Sequence, residues 1–155
     1  MRRNDREMDR EFGLKVIDKS RFGIMSMLDG DEPYGIPLSI VRDEDTLYFH
    51  SAMDGRKVKV LGDNPKVSVA FVGETVTPDL YSNEELDEIT KDESNAGLLI
   101  SKVFTIEFES AVVTGKVRLV DDEKERVKAM RLICEKYTPT KMAYLPLAVK
   151  SGGKR

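Results

Sequence analysis

The run HSAMDGRK over residues 50–57 holds the side chains of this sequence best suited to chemistry: an imidazole, a hydroxyl, a guanidinium and an ammonium. It leaves a β-like run (46–51) and enters about two turns of helix (54–62), with Asp54 as the expected N-cap and Asn64-Pro65 as the stop. A helix start already carries about half a positive charge, so Arg56 and Lys57 are unfavourable there unless an anion lies between them. Helix-start amides, the Ser51 hydroxyl, the Arg56 fork and the Lys57 ammonium together form a phosphate cradle. The plainer alternative is a solvated basic face that Lys59 continues. His50, the only histidine, is either a half-buried polar strand residue or an acid–base group.

The elements that must position these groups follow from periodicity. Met8, Phe12 and Val16 form an i, i+4, i+8 row that predicts an amphipathic helix over 5–19. Short β-like runs over 21–28, 34–42, 46–51 and 66–72 are separated, in the first three cases, by the turn-prone stretches 29–33 and 43–45. Consecutive short strands with short links predict an antiparallel meander. Over 104–120 the apolar positions move from even (Phe104, Ile106, Phe108) to odd (Val117, Leu119), which predicts a bulge near Gly115. A helix is expected over 121–137, with Val127, Met130, Ile133 and Tyr137 as its apolar row and Pro139 just beyond. A short helix over 141–150 and a tail over 151–155 complete the chain. Between the strand runs at 66–72 and 104–120 lies an acidic insertion, 76–102, read as a helix or a flap; within it NEELDEITKDESN carries six carboxylates against one lysine. The fold class is thus mainly β with peripheral helices, in a single domain over 1–155.

Composition narrows the function. The chain has 155 residues, 25 Lys plus Arg against 28 Asp plus Glu, one Cys and one His. A formal charge of −3 argues against a nucleic-acid coat protein. One cysteine and one histidine exclude a disulfide framework, a Cys-rich zinc site and a multi-histidine metal centre, so no metal is expected. Cys134, beside the last long helix's apolar row, reads as a buried inert thiol, and Met25 and Met27 as core filler. The N-terminus lacks a signal peptide's apolar stretch and no apolar run approaches ~18 residues, so a cytoplasmic protein without membrane association is expected.

The order YGIPLSIV (34–41), LYFHSA (47–52), GRK (55–57), NPKVSVAFVG (64–73), FESAVVTGKVRLVDD (108–122) and LICEKYTP (132–139) resembles the pyridoxamine 5'-phosphate oxidase-like flavoproteins, and within them the nitroimidazole-resistance type. The resemblance implies an FMN-binding split β-barrel of Greek-key type, homodimeric, with FMN at the subunit interface. It implies phosphate contacts from Ser51, Arg56 and Lys57, His50 beside the flavin, and the backbone of Pro37, Leu38, Ser39 and Ile40 along the ring edge. It further implies one more β-strand beyond the last short helix, so either the barrel is one strand short or the chain continues past Arg155. The function implied is an FMN-dependent oxidoreductase that passes electrons to a small planar acceptor such as a nitroaromatic, with His50 as the catalytic side chain. The alternatives are a flavin carrier or sensor without turnover, and the same barrel holding haem or a deazaflavin.

Overall fold

In the computed structural model, which describes residues 4–152, a 3-10 turn (Asn4–Arg6) precedes helix α1 (Arg10–Lys19). The Asp9 carboxylate accepts from the Phe12 amide at 2.8 Å and sets the helix start. α1 therefore begins later than the expected residue 5, and Met8 stays outside it and exposed. Its packed face is Val16 and Ile17, with the buried Ser20 hydroxyl 2.6 Å from the Val16 carbonyl and 2.9 Å from that of Val72.

Four strands, β1 (Gly23–Asp29), β2 (Glu32–Leu38), β5 (Lys66–Val76) and β6 (Glu107–Lys116), form one antiparallel sheet in the order β2-β1-β5-β6. β3 (Ile40–Asp43) and β4 (Thr46–Phe49) form a separate hairpin. The single run expected over 34–42 is thus two strands in two sheets, divided at Ser39. Pro33 and Pro37 lack an amide hydrogen and suit an edge strand, which β2 is. Past Ser39 the alternation ends, because Ile40 and Val41 are both buried, one against each side of the hairpin.

The expected barrel is not closed. β6 is an edge strand, the β3–β4 hairpin is not hydrogen-bonded to the larger sheet, and α1 lies between them, packed on β5, β6 and β3. Nor do the strands make a consecutive meander, since β1 pairs with β5 rather than β3 with β2. The bulge also lies elsewhere than at Gly115, which pairs regularly with Val67. It sits in β5, between Val72 and Thr75, where two successive pairs with Ser110 and Phe108 leave one extra residue on the β5 side. The apolar even row of β6 is simply its outward face: Phe108 and Val112 are exposed, whereas Ala111 and Val113 pack on the core.

Two cores result. Met25, Met27, Val69 and Phe71 of the sheet meet Val16 and Ile17 of α1, Ile40 of β3, and Val60 of helix α2 (Arg56–Asp63). On the other side of the hairpin, Val41 and Tyr48 meet Ala129, Leu132 and Ile133 of the long helix. The acidic segment contains helix α3 (Asn83–Ile89), opened by a reciprocal capping box between Ser82 and Glu85, then a short helical run α4 (Ala96–Leu98) that widens into a π-turn over Leu99–Val103. Helix α5 (Glu123–Tyr137) starts two residues after the expected 121 and is capped by Asp122; Val127, expected in its apolar row, is exposed and Ala129 holds the inward position. Cys134 is half-buried rather than fully enclosed. A 3-10 turn (Pro139–Tyr144) leads to α6 (Leu145–Gly152), so the expected tail is helical at 151–152, and its last residues, 153–155, lie outside the described residues. No helix among the described residues is long and apolar enough to cross a membrane.

Candidate anion-receptive site at the start of α2

The chain leaves β4 at Phe49, and residues 50–55 carry it to α2. Gly55, at φ 97°, is the N-cap, in place of the expected Asp54. That dihedral lies in the region open to glycine, so the helix begins where the chain can turn most sharply and not where a carboxylate is available. No side chain caps α2, and the first helical bond runs from the Lys59 amide to the Gly55 carbonyl at 3.2 Å. The amides of Arg56, Lys57 and Val58 therefore have no partner within the helix. This is an anion-receptive end with cationic side chains on it.

The two cations differ in availability. Arg56 donates to Asp29 at 2.7 Å and to Glu32 at 2.7 Å, and its guanidinium lies 4.4 Å from the centre of the Tyr34 ring. The hydrogen bond it donates to Asp29 is the first cause holding this guanidinium above its ordinary value. The anion that a cationic helix start asks for is, for Arg56, supplied by the turn of the β1–β2 hairpin. Lys57 makes no ion pair among the described residues; its ammonium rests 5.7 Å from the Phe49 ring centre. The Ser51 hydroxyl donates to the Ala52 carbonyl at 2.8 Å, and His50 is exposed.

The second group of candidates, Pro37 to Ile40, spans the end of β2 and the start of β3. Ile40 pairs with Phe49, which brings Ser39 and Ile40 alongside Phe49 and His50. Pro37 and Ser39 are exposed, Leu38 is half-buried and Ile40 is buried. Arg56 is tied to the opposite end of β2, about 20 Å away along the strand. Arg56 is thus distant from the junction, whereas His50 and Lys57, next to Phe49, lie near it.

Two residues of α5 complete this region: Tyr137, read in the sequence only as part of an apolar row, and Lys136, for which the sequence predicts no role. The Tyr137 hydroxyl accepts from the Ile40 amide at 2.9 Å and donates to the Ile40 carbonyl at 2.8 Å. The Lys136 ammonium donates to the same carbonyl at 3.0 Å and to the Ile17 carbonyl at 3.1 Å. Desolvation lowers the Lys136 pKa from its ordinary value, consistent with a cation held by carbonyls and no carboxylate. Both backbone groups of Ile40 are thereby engaged within the chain, and Leu38 pairs with Gly23 of β1, which leaves Ser39, between the two strands, outside either register. Among the described residues no group of three His, Cys, Asp or Glu side chains could hold a metal.

Fold and site together define an antiparallel two-sheet protein with an anion-receptive helix end beside a strand junction. The chain belongs to the Pyridoxamine 5'-phosphate oxidase family, whose profile matches residues 9–150. Solved structures agree at the level of fold. A Bacteroides thetaiotaomicron protein assigned to 5-nitroimidazole antibiotic resistance is 22% identical with a TM-score of 0.64, the match covering 85% of this chain and 68% of that one. A FAD-binding protein from Mesorhizobium loti is 20% identical with a TM-score of 0.55, covering 85% and 77%. A FAD and heme binding protein from Mycobacterium smegmatis is 16% identical with a TM-score of 0.63, covering 88% of this chain but only 58% of that one. No match was found among curated proteins.

Proposed function

We propose that the protein is a cytoplasmic flavoprotein that binds FMN, with the phosphate at the start of α2 and the ring along the β2–β3 junction. The observation that carries this reading is the uncapped start of α2, with three amides lacking helical partners and Lys57 lacking a carboxylate among the described residues. Two of the structurally similar proteins bind FAD by name, and FMN is the flavin that the sequence resemblance implies. Lys57, Ser51 and the helix-start amides hold the phosphate in this reading, and Arg56 joins them by sharing its fork with Asp29 and Glu32. The separation of Arg56 from the β2–β3 junction suits a molecule with an anion at one end and a planar ring at the other.

A bound flavin supplies one- and two-electron transfer, here to a small planar acceptor such as a nitroaromatic. The chain's part is to hold the ring edge at Leu38 and Ser39, which the Tyr137 clamp on Ile40 keeps in place, and to present His50 beside it. His50 positions or protonates the acceptor. Two copies complete the site: Phe22, Ile24, Leu28, Val72, Phe108 and Val112 leave the outer face of the larger sheet apolar and uncovered, as a subunit contact requires.

The test is the visible spectrum of the purified protein reconstituted with FMN, followed by turnover with nitroaromatic acceptors. A bound-flavin spectrum with acceptor-dependent reoxidation is expected. A flavin spectrum without reoxidation would leave a carrier, and a Soret band or no chromophore would remove the flavin reading. Full turnover by His50→Ala at saturating FMN would remove the catalytic role of that residue.

A further inference from the structure

Residues 77–106 form an arm at one end of the larger sheet. β5 and β6 continue past the strands that flank them, to the pair Val76 and Glu107, and the chain between carries α3 and α4. Among the described residues, neither helix makes more than isolated contacts with the sheet or with α1, α2 or α5. Yet the arm is not polar throughout. Ile100, Phe104 and Ile106 are 74%, 77% and 52% exposed, and Ile106 leads directly into β6, whose Phe108 and Val112 face outward. Exposed apolar side chains thus run from the outer row of β6 into the arm. Its charge is one-signed, with seven carboxylates against two lysines over 77–106, and Asp79, Glu84, Asp87 and Glu93 make no ion pair among the described residues.

The other end of the same face has the complementary pattern. Lys66 and Lys116 stand directly opposite each other in the β5–β6 register, on the outer side with Ser68 and Thr114, and neither has a carboxylate partner among the described residues. Like charges in direct cross-strand opposition are unfavourable unless an anion meets them. Beside them is a shallow depression of about 660 Å³, lined by Leu28, Pro33 and Ser68 as well as the two lysines.

One copy cannot satisfy itself, because the arm leaves from the Val76 end of β5 and the lysines mark its Lys66 end. Eleven residues of extended strand place these ends about 33 Å apart. A two-fold axis running across the strands exchanges the ends of two stacked sheets, whereas an axis along the strands would set arm on arm and lysine on lysine. We propose that the arm of one copy lies over the Lys66 end of a second copy, its carboxylates meeting Lys66 and Lys116 and Ile100 and Phe104 entering the depression beside Leu28 and Pro33. The contact is isologous and made twice. It rests on the two-copy reading above and gives that pair its orientation.

Carbodiimide cross-linking of the full-length protein, mixed from 14N- and 15N-labelled preparations and mapped by mass spectrometry, tests this directly. Mixed-isotope links from Lys66 or Lys116 to carboxylates of 77–106 are expected. Lys66→Glu with Lys116→Glu, folded by circular dichroism, is expected to weaken self-association at least tenfold in sedimentation equilibrium. A dimer whose mixed-isotope links lie elsewhere, links confined to one isotope, or an unweakened double variant would overturn the arm contact while leaving the two-copy reading standing. A wild-type chain that sediments as a monomer, or that is held by a different protein, would overturn both. Flavin binding, followed by fluorescence in the same samples, reports separately on the phosphate assignment.

Discussion

Single side chains decide how the site is held. The Ile40 amide is buried and its partner is one hydroxyl, that of Tyr137. Tyr137→Phe leaves that donor unsatisfied, so a loss of about 1–3 kcal/mol in chemical denaturation is expected, with a smaller change for a surface control such as Lys141→Ala. Arg56 and Lys57, adjacent in sequence, divide in the fold: among the described residues one is engaged by Asp29, Glu32 and Tyr34, the other by the Phe49 ring without an ion pair. The basic pair was legible in the sequence because a cation at a helix start is locally anomalous. The neutralisation of Arg56 was not, because Asp29 and Glu32 lie in a hairpin turn whose position against α2 depends on the tertiary fold. Glu109 is a further residue-scale device. The Lys19 ammonium and then the Glu74 amide hold its carboxyl below the ordinary value. The folded state therefore binds that proton less tightly than the unfolded chain, and the contact contributes stability above about pH 4.5 that is lost as pH falls through the lowered value. Thermal unfolding followed from pH 7 to pH 3 should show a shallower acid decline for Glu109→Gln than for wild type.

At the scale of elements, two glycines separate packing from propensity. A Cβ on Gly23 would lie 2.7 Å from the Phe71 ring and 2.9 Å from Val69, both in the closed core, so Gly23→Ala should cost about 1–3 kcal/mol of unfolding free energy. A Cβ on Gly62, near the end of α2, meets nothing within 4 Å, so Gly62→Ala should stabilise by roughly 0.5–1 kcal/mol. Opposite signs in the same denaturation series check both. Elements with caps and clear periodicity, α5 above all, stand close to their expected ends because local signals set them: Asp122 caps the start and Pro139 follows the end. The run over 34–42 misled for a physical reason. A strand whose residues are covered on both sides loses the alternation that marks a boundary, and the break at Ser39 carries no glycine or proline of its own.

For the whole molecule, antiparallel sheets with peripheral helices were legible from short runs and short links, whereas closure was not. Closure depends on whether β6 and the β3–β4 hairpin meet, and α1 lies between them. The outer face was invisible for a related reason: the even-numbered apolar row of β6 reads as core in sequence and is solvent-facing in one copy. A lone chain thus exposes a face that two copies would cover, with a cationic helix start near one end and an acidic arm at the other. The account's central claim, that the start of α2 receives the phosphate of a bound flavin, is tested most directly by titrating the protein with FMN and with riboflavin, which differ only in that phosphate. The account predicts that FMN binds at least tenfold more tightly than riboflavin and that Lys57→Ala removes most of this difference while leaving riboflavin binding unchanged. Equal affinities for the two flavins, or a preference for FMN that survives Lys57→Ala combined with Arg56→Ala, would contradict it.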